Sequence, residues 1–419
     1  MYTRNKSVFK KSALNIQKIL NGICGVAPFK NKALNSKIII TTGGTCGHIT
    51  PAMKIASDLV EQGKTVYFIT DKRFNSYKNL FDKKDFFTSK NFKVVETPIT
   101  SFKGFGGIFS FLKNSILTLL QVIFIFIKIK PKIVIGFGSY VSFFPLLIGA
   151  LSFRSIILHE QNVIFGKVNK MFVRVAKTIL LSFPDASHIS KKLYSKISHK
   201  VIISGYPSFT APNVDANYRK AIHDLTTKRE IIILITGGSQ GASFFAHKIP
   251  PAIVSVAKSF PEKTFTVYHQ VRKNEIEQVL NYYTLQNVKN INLNIKPIFD
   301  NIPEILKEAD IAIIRGGAGS IIETATAKVF SIIIPLTHSA GNHQVKNAMM
   351  LASNNGAVML EEKNYTPEKL SMIFARILKD SFFYFPIINT ASDLFKNDAS
   401  QVFANVILYN DLESLNSYD

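Results

Sequence analysis

Ile39–Gly47 reads IITTGGTCG, and Ile233–Gly241 reads ILITGGSQG. Each is a short aliphatic run entering Thr-Gly-Gly-[Thr/Ser]-x-Gly. A continuous apolar run of this length suits a strand buried on both faces. Glycines at its exit let the backbone turn sharply and approach a ligand closely. The N–H groups of a helix starting there would face an anion. One strand–loop–helix start met twice predicts two Rossmann-like halves of an α/β protein, with parallel sheets facing across a cleft and a glycine loop on each side.

Outward from the first copy, Ser36–Thr42 (SKIIITT) is a strand. Thr50 is expected to cap the next helix, with Pro51 in its first turn and Gly63 at its exit. Thr65–Thr70 follows as a strand. Further strands are expected at Lys132–Ile135, Ser155–Leu158, Thr178–Leu181, Val201–Ser204, Ile231–Thr236, Thr264–His269, Asp310–Ile314 and Ser331–Pro335. Strands alternating with helical stretches at this pace mean parallel α/β units. The Gly/Pro-rich stretch Gly205–Pro212 (GYPSFTAP) separates the halves. The expected divisions are an extension over 1–36, a first Rossmann-like domain over 37–204, a second over 205–380, and a helical segment over 381–419 that can cross back to the first.

The chain has 419 residues, enough for two or three domains, and 47% hydrophobic content, enough to fill their cores. Global disorder is excluded. Two cysteines, Cys24 and Cys46, exclude a disulfide scaffold and a clustered-cysteine zinc site. Lys and Arg number 51 against 28 Asp and Glu, a net charge of +23. That excess attracts polyanions: nucleic acid, anionic lipid or phosphorylated substrates. Lys and Phe enrichment is equally what an AT-rich genome produces.

Eight basic residues and no acid fall in the first 37 positions, and the first acid is Asp58. Lys18 and Asn21 interrupt any signal-peptide core. The stretch reads as an extension outside the fold, a transit-type leader or a surface-binding arm. Ser115–Ile127 is uncharged but shorter than the roughly 20 residues a bilayer needs. With Lys103, Lys113, Lys128 and Lys130 around it, a buried or interfacial helix is expected, on a protein that touches a membrane surface.

His48 directly follows the first loop, at a positive helix end that would keep its imidazole neutral and able to accept a proton. His159–Asn162 (HEQN) and Gly136–Tyr140 (GFGSY) sit where strand ends would line a ligand crevice. Lys167, Lys170, Arg174 and Lys177 form one helical stripe, a solvated face that can also meet lipid head groups. Asp71 suits a ribose hydroxyl in a dinucleotide site, a reading the second glycine loop argues against. In the second half, Arg315–Glu323 (RGGAGSIIE) opens a helix whose Glu323 can accept from a ribose diol, and Asn342–Gln344 (NHQ) is the next polar group. That half therefore reads as the nucleotide side.

In this order, GGTCGHITPA (43–52), GFGSYVSFFP (136–145), LHEQN (158–162), TGGSQGA (236–242), RGGAGSIIETA (315–325) and NHQVKNA (342–348) resemble the MurG family. Its members move N-acetylglucosamine from UDP-N-acetylglucosamine to undecaprenyl-pyrophosphoryl-N-acetylmuramoyl-pentapeptide (lipid I), making lipid II for peptidoglycan. The resemblance covers residues 37–380 and implies the GT-B fold, with the acceptor on the first domain and the donor mainly on the second. Carried over, Thr45, Cys46, Gly47 and Asn162 contact the donor from the first domain. His48 is the expected base, and Glu160 an important polar group. Ser239 and Gln240 lie beside the donor phosphates, and Phe299 gives a backbone contact to uracil. Ala318, Gly319, Ser320, Ile321, Ile322 and Glu323 hold the nucleoside, with Glu323 on ribose, and Gln344 contacts the sugar. Gly43, Gly44 and Tyr140 are assigned to the acceptor pyrophosphate.

Two departures stand out. Cys46 replaces a family glycine, and Phe209 stands where the family motif Gly-Asn-Pro-Val-Arg ends in arginine. Either donor affinity is lower or another Lys or Arg substitutes. The resemblance implies an inverting, direct displacement giving a β-1,4 linkage, with no cofactor. The chain has no Asp-x-Asp motif, and no metal is expected. It also implies peripheral attachment to the cytoplasmic face of the bacterial inner membrane, with an anionic lipid surface and cell-wall synthesis proteins as partners and no nucleic acid. The competing expectations are another UDP-sugar:lipid transferase, such as a diacylglycerol glycosyltransferase, and a catalytically silent, membrane-associated UDP-sugar-binding protein.

Overall fold

The computed structural model describes residues 36–81, 86–101, 107–184, 190–209, 224–238, 242–395 and 397–416. The basic extension and the positions of Ser239 and Gln240 lie outside the described residues, as does Lys103. The chain divides into two compact units. One runs to Pro207 and resumes at Asn397, and the other spans Ser208–Lys396.

The first unit is built on seven parallel strands: β1 (Lys37–Thr41), β2 (Thr65–Asp71), β3 (Phe92–Thr97), β4 (Ile133–Gly136), β5 (Ser155–Glu160), β6 (Thr178–Leu181) and β7 (Val201–Ile203), in the order β3-β2-β1-β4-β5-β6-β7. The second has six: β8 (Glu230–Thr236), β9 (Thr264–Gln270), β10 (Ile291–Lys296), β11 (Ile311–Ile314), β12 (Phe330–Ile333) and β13 (Val358–Met359), in the order β10-β9-β8-β11-β12-β13. Both orders reverse at the first strand, the doubly wound pattern whose ligand crevice lies at the carboxyl strand ends. The aliphatic runs are central because helices cover both of their faces. Ile38–Ile40 and Ile311–Ile314 are wholly buried. The edge strands β3 and β10 instead leave most of their positions half-exposed or exposed. This is why no continuous apolar run marks them in the sequence.

The first loop is shorter than the sequence predicts. The helix begins at Cys46 and runs to Glu61, with Thr45 at the N-cap and Pro51 inside it rather than in its first turn. Gly63 does end it, at φ +78°. The apolar helix also differs: it spans Ile108–Ile129, 22 residues with Lys113 inside, where the uncharged stretch alone is too short for a bilayer. Among the described residues it is the one helix long and apolar enough to cross a membrane by length and composition. Its inner face, Val122, Ile125, Phe126 and Ile129, packs with Val134 and Ile156 in the core of the first unit. Its outer face leaves Phe109 86% and Phe124 63% exposed.

Among the described residues, each unit fully buries one imidazole. His159 lies between the rings of Phe137 and Phe403, with Ser182 Oγ 2.9 Å from its Nε2. His269 is fully buried on β9, and among the described residues neither ring nitrogen has a hydrogen-bond partner. Burial lowers both pKa values to about 3. The unfolded chain takes up these protons near pH 6.5. The contribution to stability is therefore complete above that pH and lost as pH falls toward 3, at about 1.4 kcal/mol per unit for each histidine. His269→Leu should raise the thermal midpoint of the second unit, and by more at pH 5 than at pH 8. An equal shift at both pH values in differential scanning calorimetry would contradict a neutral, unpartnered imidazole.

Candidate active site

On the first unit, the glycine loop is held by close packing. A Cβ on Gly43 would lie 2.4 Å from Val141 Cγ2, and Gly44 has φ +89°. The loop therefore delivers the helix Cys46–Glu61 at the carboxyl end of β1, with no acidic residue in its first turn. His48, in that turn, is half-buried. Its Nδ1 lies 3.3 Å from Thr45 Oγ1, and its backbone oxygen accepts from Thr42 Oγ1 at 2.9 Å.

The GFGSY turn meets this helix start. Gly138, at φ +82°, approaches so closely that a Cβ there would be 3.4 Å from both the His48 ring and Asn169 Nδ2. Ser142 Oγ anchors the turn by donating to Thr41 O at 3.0 Å. Tyr140 is half-buried, and its hydroxyl donates to Asp71 Oδ2 at 2.6 Å. Arg73 donates to the same oxygen from Nε at 2.9 Å and Nη2 at 2.7 Å. Asp71 is therefore engaged inside the protein and does not await a ribose.

Glu160 ends β5 and is buried. Its Oε1 accepts from Asn162 N at 3.1 Å and Asn162 Nδ2 at 3.3 Å. Its Oε2 accepts from Gly166 N at 2.8 Å and Asn169 Nδ2 at 2.9 Å. Burial pushes this carboxyl above the ordinary range, and the donors from Gly166, Asn169 and Asn162 pull it back. Both oxygens serve to shape the loop that carries Asn162. GGTCGH, GFGSY and HEQN thus converge. Asn169 joins them by also donating to His159 O at 2.9 Å. Its only sequence signal is an uncharged residue inside the lysine stripe.

On the second unit, β8 leads to Gly237 and Gly238. Thr236 Oγ1 donates to Gln270 Oε1 at 2.5 Å and accepts from Gly238 N at 3.3 Å. Arg272, just past β9, donates from Nη1 to Ser243 Oγ, in the first residue of the helix Ser243–Ser259, at 2.8 Å. Ala318, Gly319, Ser320, Ile321, Ile322 and Glu323 are the first six residues of the helix Ala318–Thr326. Glu323 Oε1 accepts from Ser208 Oγ at 2.9 Å. Burial pushes its carboxyl up, and the Ser208 bond opposes the shift.

Gln344 opens its helix nearby. A Cβ on Gly316 would stand 2.2 Å from the Gln344 backbone oxygen, so glycine is required where the two segments touch. Gln344 Oε1 accepts from Leu336 N at 3.0 Å, and Asn347 Nδ2 donates to Gly316 O at 3.1 Å. Arg315 is spent structurally: Nη1 donates to Ile334 O at 3.0 Å, Nη2 pairs with Glu362 at 2.6 Å, and the guanidinium lies over Phe245. Phe299, past β10, is buried against the Tyr268 ring. Nothing local in the sequence marks Arg73, Asn169 and Arg272, whereas Asn347 lies within NHQVKNA (342–348).

Comparison with known proteins bears on the family and the fold. Residues 38–181 match the glycosyltransferase family 28 N-terminal domain, and residues 232–402 match the family 28 C-terminal domain. The chain is 32% identical over 337 residues to the UDP-N-acetylglucosamine–N-acetylmuramyl-(pentapeptide) pyrophosphoryl-undecaprenol N-acetylglucosamine transferase of Rickettsia felis, covering 80% of this chain and 89% of that one. The Rickettsia prowazekii enzyme of the same name is also 32% identical, with the same coverage. Among solved structures, Acinetobacter baumannii MurG aligns with TM-score 0.67 at 23% identity, covering 89% of this chain and 99% of that one. A UDP-GlcNAc 2-epimerase from Neisseria meningitidis bound to UDP-GlcNAc aligns at 0.62 and 13% identity, covering 89% and 100%, a likeness of fold alone. With two Rossmann-like units of the GT-B class, both family 28 domains in order and relatives of this identity along most of its length, the chain belongs to the MurG family of glycosyltransferases.

Proposed function

We propose that this chain transfers N-acetylglucosamine from UDP-N-acetylglucosamine to the C4 hydroxyl of the N-acetylmuramoyl sugar in lipid I, forming lipid II with inversion at the anomeric carbon. The observation that carries the reading is the convergence of His48, the Gly138 turn and the Glu160–Asn162 loop beside an anion-facing helix start. In the displacement, the acceptor oxygen forms a bond to the anomeric carbon while the bond to the UDP oxygen breaks, and the electron pair leaves with UDP. The proton passes to His48, whose ring the Thr45 hydroxyl orients through Nδ1. Glu160 acts as a positioning residue for Asn162, which with Thr45, Cys46 and Gly47 meets the donor.

Donor recognition follows from the second unit. Glu323 accepts from the ribose diol, the turn of Ala318–Ile322 surrounds the nucleoside, Phe299 offers its backbone to uracil, and Gln344 meets the sugar. The loop carrying Ser239 and Gln240 and the start of the helix Ser243–Ser259 receive the diphosphate. Arg272 is the cation at that helix start, in the part the family gives to the arginine replaced by Phe209.

We further assign the protein to the cytoplasmic face of the inner membrane, docked through the outer face of Ile108–Ile129. Seven large apolar side chains there are exposed, Phe109, Leu112, Ile116, Leu117, Leu120, Phe124 and Ile127, with Lys113, Lys128 and Lys130 beside them. Apolar area and basic flanks add in binding to anionic lipid. Cell-wall synthesis proteins are the partners this location implies.

Two experiments test these assignments. In detergent with a lipid I analogue, His48→Ala should lower kcat by about a hundredfold or more while UDP affinity is kept, and Glu323→Ala should chiefly raise the donor KM. A folded wild-type protein that binds UDP yet transfers nothing would instead be the silent binder. In vesicle sedimentation with phosphatidylglycerol, Leu120→Glu with Phe124→Glu should abolish binding and leave turnover on a short-chain acceptor intact. Undiminished binding would move the docking face elsewhere.

A further inference from the structure

Asp71 and Arg73 have no part in the reaction as assigned, yet they form the most tightly built polar cluster at the first glycine loop. The Asp71 side chain is only 4% exposed, and it holds the Arg73 guanidinium through Nε and Nη2. Nη2 also donates to the Tyr140 hydroxyl, and the guanidinium carbon sits 5.3 Å from the centre of the Tyr140 ring. The fork is therefore fixed on one side by a buried carboxylate and braced on another by an aromatic face. Its open side is defined too. The Arg73 side chain is 46% exposed, and among the described residues Nη1 makes no hydrogen bond.

The location selects the ligand. Nη2 lies 3.4 Å from where a Cβ on Gly44 would stand, so the guanidinium borders the loop itself. The loop opens onto a 16-residue helix without an acid in its first turn. The two N–H groups of Nη1, held next to a positive helix end, are charge-assisted donors suited to a phosphate oxygen. The Tyr140 phenol, pushed above its ordinary pKa by burial and by Asp71, stays protonated and keeps its O–H on Asp71. A lipid-linked diphosphate is the anion of the proposed reaction that reaches the first unit.

We propose that Arg73 is the side chain that grips the acceptor's diphosphate at the first glycine loop, with Asp71 as the positioning residue that aims it. The assignment rests on the acceptor reading above. It adds a specificity determinant for the acceptor alone, because donor groups on the second unit are untouched by it. The carboxylate does not oppose the anion: it lies buried behind the guanidinium and fixes which N–H groups face outward.

The test uses the full chain in detergent, with initial rates over both substrates and farnesyl diphosphate as a competing probe. Arg73→Gln should raise the acceptor KM about tenfold, the loss of one charge-assisted phosphate contact. The donor KM and kcat should stay within about twofold. Inhibition by farnesyl diphosphate should weaken by the same factor, while farnesol should be indifferent to the substitution. Arg73→Lys, which keeps the ion pair with Asp71, should recover part of the loss, and Asp71→Asn should shift the acceptor KM in the same direction as Arg73→Gln. An acceptor KM and farnesyl diphosphate inhibition unchanged in Arg73→Gln would overturn the proposal. A wild-type protein without transfer would defeat the acceptor reading instead, and direct titration of farnesyl diphosphate into wild type and Arg73→Gln would still decide whether Arg73 holds a diphosphate. Calorimetric unfolding of each variant reports that the first unit is folded.

Discussion

The close approach of Gly43 to Val141 is the constraint on which the first unit's chemistry depends. With only 2.4 Å between a would-be Cβ and Val141 Cγ2, no side chain fits, and the backbone runs directly against the turn that follows β4. This contact sets where the helix Cys46–Glu61 starts, and so where His48 sits relative to Gly138. The second unit repeats the device at another joint. Gly316 touches the Gln344 backbone, so the helix Ala318–Thr326 and the helix presenting Gln344 keep one spacing. In both cases a missing side chain, not an added contact, sets the site's dimensions. An alanine at Gly316 would force backbone to move, and one at Gly43 would displace the Val141 side chain, both of which close-packed interiors resist.

Charge is distributed by the same logic. The buried carboxylates Glu160 and Asp71 and the half-buried Glu323 are each answered by hydrogen bonds: Glu160 by Asn162, Gly166 and Asn169, Asp71 by Arg73 and Tyr140, Glu323 by Ser208. An unanswered buried carboxylate would shift its pKa and neutralise. Glu160 thereby becomes an internal strut that shapes the Asn162 loop. The net charge of +23 is a background on which these local pairings are built, and a positive excess of this size attracts anions.

Much of the fold was legible because central parallel strands are continuous aliphatic runs: KIIIT and IAII announce themselves, and the repeated Thr-Gly-Gly loop announces the two halves. The edge strands were not legible, since FKVVET and INLNIK carry polar residues on exposed positions and resemble loops. The helix start was misplaced because Thr50-Pro51 is a familiar capping pair, whereas the structure places Thr45 at the N-cap of a helix that tolerates Pro51 inside. Of the candidate site, the residues in short motifs could be found from the chain alone. Asn169 and Arg272 could not, because each acts on a partner brought close only by the fold, and Arg73 could not, because its brace on Tyr140 comes from 67 residues away.

The account centres on a sugar moving from a nucleotide to a lipid-linked acceptor, on a fold that is also found in UDP-GlcNAc 2-epimerases. The decisive measurement is product analysis, by mass spectrometry and NMR, of wild-type protein given labelled UDP-N-acetylglucosamine with and without a lipid I analogue. The account predicts UDP and a β-1,4-linked disaccharide on the lipid in equal amounts, and no change in the donor when the acceptor is omitted. Formation of the C2 epimer of the donor sugar without acceptor would contradict it.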